Sequence, residues 1–140
     1  MRLNQAAARR IISVALAHGH EHGMKPLSVV VLDAGGHPIA FERADGASPG
    51  RFEIARAKAY GAVMLGMGGV AQAARAAQGS FMATLNGVFQ GRVLPVPGGV
   101  LVRDAEGMVI GAVGVTGDTS ENDAEAALAG IAAAGLTGEA

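Results

Sequence analysis

The sequence contains no cysteine and no tryptophan, and its aromatic residues are one tyrosine and four phenylalanines. Without cysteine there is no disulfide, no iron–sulfur cluster, no thiolate-ligated zinc and no thiol nucleophile. Charge is sparse as well: Asp, Glu, Lys and Arg make up 16% of the residues and the net charge is −1. The basic residues are scattered, with Arg9-Arg10 the only adjacent pair. The electrostatic footprint of a nucleic-acid binder is therefore missing. Every apolar stretch is broken by charge or glycine before it reaches membrane-spanning length. Met1-Arg2-Leu3-Asn4-Gln5 opens an amphipathic pattern instead of an apolar signal segment, and the expected location is the cytoplasm.

What is present is small and apolar. Half of the 140 residues are hydrophobic, Ala is abundant and Gly numbers 22. A mean hydropathy of +0.33 argues against disorder. The length suits one domain, residues 1–140. Small side chains let helices and strands approach closely, but each buries little area. Burial of further surface against copies of the same chain would add stability, so a homo-oligomer is expected.

Asn4 is placed to cap a helix in which Ala8, Ile11, Ile12, Ala15 and Leu16 recur at helical spacing. It should end near residues 19–23, and Pro26 stops any continuation. The β-branched run Leu27–Leu32 reads as a buried strand, Asp33–His37 as a turn and Pro38–Arg43 as the return strand. Ser48-Pro49 suggests an N-cap with proline in the first turn, leading a helix over Arg51–Leu65. A short Ala-rich helix follows over Val70–Ala77. Residues 79–92 are ambiguous, with Phe81, Leu85 and Phe89 at helical spacing but three glycines interspersed. Strands are predicted at Val93–Val96, Val100–Arg103 and Met108–Val115, and a last helix from a capping-box-like Ser120-Glu121-Asn122-Asp123. This order implies an α+β fold, an antiparallel sheet with helices packed on it.

Several residues are candidates for chemistry. His18 and His22 lie one helical turn apart, a spacing at which two imidazoles can share a metal ion; basic residues at a helix end also simply complement its dipole. Lys58 shares an apolar stripe with Ile54, Gly61, Ala62 and Leu65. It is either a snorkelling stem or a pocket lysine that binds an anion. Asp33 either caps its own turn or acts chemically, and Arg43 either meets Asp33 or holds a ligand carboxylate. His37 reads as an exposed turn residue. Gly66-Met67-Gly68-Gly69-Val70-Ala71 fits a dinucleotide-binding pattern by letter, but a helix precedes it where a strand is required, so it is rejected. No spacing pairs Ser48, Ser80, Thr116 or Ser120 with a base.

Val29–Gly36, Arg43-Ala44-Asp45-Gly46-Ala47 and Ala55-Arg56-Ala57-Lys58-Ala59, followed by Pro97-Gly98-Gly99-Val100, Val109–Gly117 and Asp123, together resemble the GlcG/HbpS family, the haem-degrading or DUF336 domain. The resemblance spans nearly the whole chain. It implies an α+β fold with a five-stranded antiparallel sheet flanked by helices, and assembly into homo-oligomers, octamers included. Some relatives bind or degrade haem or bind iron. Others form the C-terminal part of corrinoid-linked proteins or accompany glycolate-utilisation enzymes. By position, the family's polar set falls on Asp33, Arg43 and Lys58, with Gly98 and Gly99 as a backbone pocket wall. The family's Gly-Gly-x-Pro run is Gly98-Gly99-Val100-Leu101 here, and Thr116 keeps the hydroxyl of the family's Gly-Val-Ser-Gly run. With no cysteine, His18 and His22 stand as haem-ligand candidates, beside methionine and hydroxyl groups.

Two functions follow as expectations, with a pure interaction module as a third. One is a haem or tetrapyrrole binder with His18 or His22 as axial ligand. The other is a cofactor-independent enzyme or binder of a small organic acid, of proton-transfer, lyase or hydratase type. In it Arg43 and Lys58 would hold the carboxylate, the Gly98 and Gly99 amides an oxyanion, and Asp33 would act as base, with Thr116 beside the ligand.

Overall fold

A computed structural model describes residues 2–140. The elements are α1 (Gln5–Glu21), β1 (Ser28–Asp33), β2 (Pro38–Arg43), α2 (Arg51–Leu65), α3 (Gly69–Ala76), α4 (Phe81–Val88), β3 (Gly99–Arg103), β4 (Val109–Thr116), α5 (Ser120–Ala133) and β5 (Thr137–Glu139). The sheet is antiparallel throughout, in the order β2-β1-β4-β3-β5. The α+β reading with five antiparallel strands therefore holds. Among the described residues no helix is long and apolar enough to cross a membrane.

Helices α1 and α5 pack together on one face of the sheet and α2 covers the other. Alternate residues of β1 supply the two cores: Val29 and Val31 face α1 and α5, Val30 and Leu32 face α2. The inner strands are covered on both faces, which is why they read as continuous apolar runs and not as alternating ones. The glycines set the approach distances. A Cβ at Gly114 in β4 would collide with the Ala55 carbonyl of α2, and one at Gly130 in α5 with the Ile11 carbonyl of α1. Small residues thus let helix backbones lie against the sheet and against each other.

Asn4 caps α1 as expected, its Oδ1 accepting the Ala7 N–H at 2.8 Å. Three readings are corrected. The Ser48-Pro49 start lies in a turn: helix α2 begins at Arg51 behind Gly50, and Ser48 Oγ instead accepts from Arg51 Nε at 3.1 Å. The cap of α5 is Thr119, not Ser120; its Oγ1 accepts the Asn122 N–H at 3.2 Å. Val93–Val96 forms no strand, because its backbone is bonded elsewhere. The Asn86 side-chain amide holds both the N–H and the C=O of Val93, and the Leu94 N–H donates to the Ala57 carbonyl of α2. The fifth strand is Thr137-Gly138-Glu139, paired to β3. The ambiguous segment resolves into α4, and a helix, α2, does precede the glycine-rich run at Gly66.

Candidate functional site

Helical spacing puts Lys58 on the sheet-facing side of α2 with Ala55, Ala59 and Ala62. Its Nζ donates to the Val115 carbonyl at 3.0 Å and to Asp123 Oδ2 at 3.1 Å. Asp123 in turn accepts the Asp118 N–H on Oδ1 at 2.9 Å. The lysine is 3% exposed and the aspartate 1%. Burial pushes the Lys58 amine below its ordinary pKa, and pushes the Asp123 carboxyl above its own. Each partner's charge works against that displacement in the other. Gly98 and Gly99 wrap this lysine closely. A Cβ at Gly98 would come within 2.8 Å of Nζ, and one at Gly99 would collide with the Lys58 carbonyl. Lys58, Gly98, Gly99 and β4 therefore form a closed polar lock between sheet and helix.

Thr116 stands at the edge of this lock. Its Oγ1 accepts from Arg51 Nη1 at 2.9 Å. Arg51 is a cation at a helix N-terminus, where the dipole disfavours it, and the hydroxyls of Ser48 and Thr116 hold it there. Sequence reasoning passed over Arg51 and gave Asp123 only a helix-opening role. The available signal was a basic residue in the first turn of a helix, opposite the usual preference.

Arg43 and Asp33 lie at opposite ends of the sheet's first two strands. Arg43 is in register with Ser28, which is in register with Thr116 on its other side, whereas Asp33 pairs with Gly111 at the far end of β1. The fully buried Ser28 Oγ between them has no hydrogen-bond partner. Asp33 Oδ1 accepts the N–H groups of Gly35 at 2.9 Å and His37 at 3.0 Å. It is thus engaged in its own turn. One chain does not bring Asp33 together with Arg43 and Lys58, and His37 is exposed.

The histidines occupy the end of α1. The rings of His18 and His22 stack with centroids 3.9 Å apart and planes inclined by 21°. His22 Nδ1 lies 2.7 Å from the His18 carbonyl. A carbonyl only accepts, so Nδ1 carries the proton and the neutral ring offers its lone pair at Nε2. His18 Nε2 is shielded from solvent and has no hydrogen-bond partner. Among the described residues no three His, Asp or Glu side chains gather as a metal cluster. His18 Nε2 is therefore shielded and left without a partner in this chain.

A five-stranded antiparallel sheet, α1 and α5 on one face and α2 on the other, defines an α+β fold shared with several solved structures. The PduOC:heme complex matches all of this chain and all of its own, with a TM-score of 0.89 at 24% identity, which establishes the common fold. HbpS matches 94% of this chain and 89% of its own, with a TM-score of 0.82 and 30% identity. The Klebsiella pneumoniae protein ORFY, of the DUF336 family, matches 96% of this chain and 92% of its own, with a TM-score of 0.88 and 27% identity. The chain belongs to the HbpS-like family, described as haem degrading protein HbpS-like, whose family model matches residues 3–132. No curated protein matches it in sequence.

Proposed function

We propose that this chain binds haem or a closely related tetrapyrrole, with His18 or His22 as a ligand of the iron and more than one copy of the chain enclosing the macrocycle. The observation that carries the reading is the unpartnered, solvent-shielded His18 Nε2. A buried nitrogen without a partner is costly, and a metal is a partner that an imidazole lone pair can take. The His22 tautomer set by the His18 carbonyl presents a second Nε2 one ring away. Membership of the HbpS-like family and the haem complex formed by PduOC, a protein of the same fold, support the same ligand class.

Haem, when bound, supplies an iron centre able to bind axial ligands and change oxidation state. This chain's part is to offer an imidazole and, at His18 Nε2, to keep water from it. Beside the helix end lies a hollow of about 180 Å³ lined by Leu16, Gly19, His20, Met24, Lys25 and Leu27, adjacent in sequence to His18 and His22 but lined by neither. Ligand sites for larger molecules commonly run to about 300–1,000 Å³. A macrocycle at this hollow therefore needs a second wall, which a neighbouring copy supplies; an octamer is one assembly that provides it.

Haemin titrated into the purified protein should give a saturable Soret band. At least one of His18→Ala and His22→Ala should weaken binding, and the double variant should abolish it, with helicity unchanged by circular dichroism. Light scattering should show the haem-loaded form as an oligomer. A Soret response that is absent, or is untouched in the double variant, overturns the ligand assignment. Tight binding by a monomer overturns the shared wall.

A further inference from the structure

The aromatic residues are too few to be spread through the core, and they are not. Of the five in the chain, four form two edge-on pairs along α2, on the face of the sheet opposite α1. Phe52 meets Phe41 edge-on at 4.8 Å, and Tyr60 meets Phe89 edge-on at 6.0 Å. Phe52 and Tyr60 then line a cleft of about 240 Å³ together with Ala57, Arg56 and Arg92. Phe52, Arg56 and Tyr60 are spaced four residues apart, so one helical stripe supplies an apolar wall and a cation.

Arg92 is held in place at this cleft. Its Nε donates to the Phe89 carbonyl at 2.9 Å, and its guanidinium lies 4.7 Å over the Tyr60 ring. Among the described residues neither Arg56 nor Arg92 has a carboxylate within ion-pair distance; the ion pairs are Lys58–Asp123 and Arg103–Glu139. The one acidic residue at the rim is the exposed Glu53. Two guanidiniums against one carboxylate leave a single positive charge facing an aromatic wall.

We propose that this cleft binds a small monocarboxylate with an apolar body, its carboxylate between Arg56 and Arg92 and its body against Phe52 and Tyr60. Guanidinium and carboxylate match in geometry and pair in bidentate fashion. Stacked and edge-on aromatic rings provide the apolar surface. A single negative charge balances the cleft, whereas a phosphate dianion exceeds that balance and leaves the aromatic wall unused. The cleft is separate from the helix end occupied by His18 and His22, so it stands whether or not haem binds there.

Tyr60 is the only tyrosine and tryptophan is absent, so intrinsic emission of the haem-free protein reports on this cleft alone. Hexanoate should change that emission saturably. 1-Hexanol, which lacks the charge, and inorganic phosphate, which lacks the body, should each bind at least about tenfold more weakly by calorimetry. Arg56→Met and Arg92→Met should each weaken hexanoate by about tenfold and leave hexanol unchanged. Glu53→Gln, an exposed change that leaves the packing intact, should strengthen hexanoate by about twofold or more. No response to hexanoate, equal binding of hexanol or phosphate, or indifference to the Arg56 and Arg92 changes overturns the proposal. Repeating the titration in the His18→Ala/His22→Ala variant should give the same hexanoate affinity, and a loss there would overturn the independence of the two sites.

Discussion

Lys58 Nζ stands 3.1 Å from Asp123 Oδ2, and the two side chains, at 4% and 1% exposure, are effectively closed to water. The pair joins the middle of α2 to the first turn of α5 through the end of β4. Removing one member leaves the other charge buried and uncompensated. Lys58→Met is expected to destabilise the fold by about 3–5 kcal/mol. Asp123→Asn keeps an oxygen for the Asp118 N–H but removes the charge. The double variant should cost less than the sum of the single ones by more than about 1 kcal/mol. Urea denaturation of the four proteins measures this, and strict additivity would show that the contact is not an energetic one.

The start of α5 allows a second test. Thr119 Oγ1 accepts the Asn122 N–H, whereas Ser120 is already inside the helix. Thr119→Ala should cost about 1 kcal/mol. Ser120→Ala should stay within about 0.5 kcal/mol of the parent protein. Thermal melts of the two variants decide the matter, and the reverse order would restore Ser120 as the cap.

A third concerns acid. Asp118 has its carboxyl held below the ordinary carboxylate pKa, chiefly by the Lys25 N–H and then by the Asn122 amide. Oδ1 accepts the Lys25 N–H at 3.0 Å and Oδ2 accepts from Asn122 Nδ2 at 2.7 Å. A depressed folded-state pKa stabilises above the unfolded value and is lost as pH falls through the folded one. The parent protein should therefore exceed Asp118→Asn in melting temperature at neutral pH. That advantage should shrink as pH falls below about 4, the ordinary carboxylate value. An advantage that persists unchanged at low pH would place the stabilisation elsewhere.

Much of the fold was legible because it rests on local signals. The Asn4 cap, the hairpin around Asp33–His37 and the span of α2 follow from capping, turn and periodicity chemistry over a few residues. β5 was not legible: Thr137-Gly138-Glu139 carries no apolar alternation, and it is a strand because β3 offers it a partner edge and Arg103 an ion pair at 2.7 Å. Val93–Val96 failed the other way. Its composition suits a strand, but the Asn86 side chain and the Ala57 carbonyl take its backbone groups.

The candidate site divides along the same line. Sequence spacing alone places His18 and His22 on one face of one helix, since both belong to a single regular element. It also fixes how few aromatics and cations the chain can deploy. Only the tertiary structure decides where those few meet. Lys58 finds Asp123, 65 residues away, and not Asp33. Arg92 reaches the ring of Tyr60, and Phe41 that of Phe52. Such pairings span long stretches of chain and depend on strand order and helix approach, which the glycines of β4 and α5 permit by yielding space to a neighbouring backbone. A local pattern specifies an element; the partner of a buried charge is chosen by what the packed elements bring within reach.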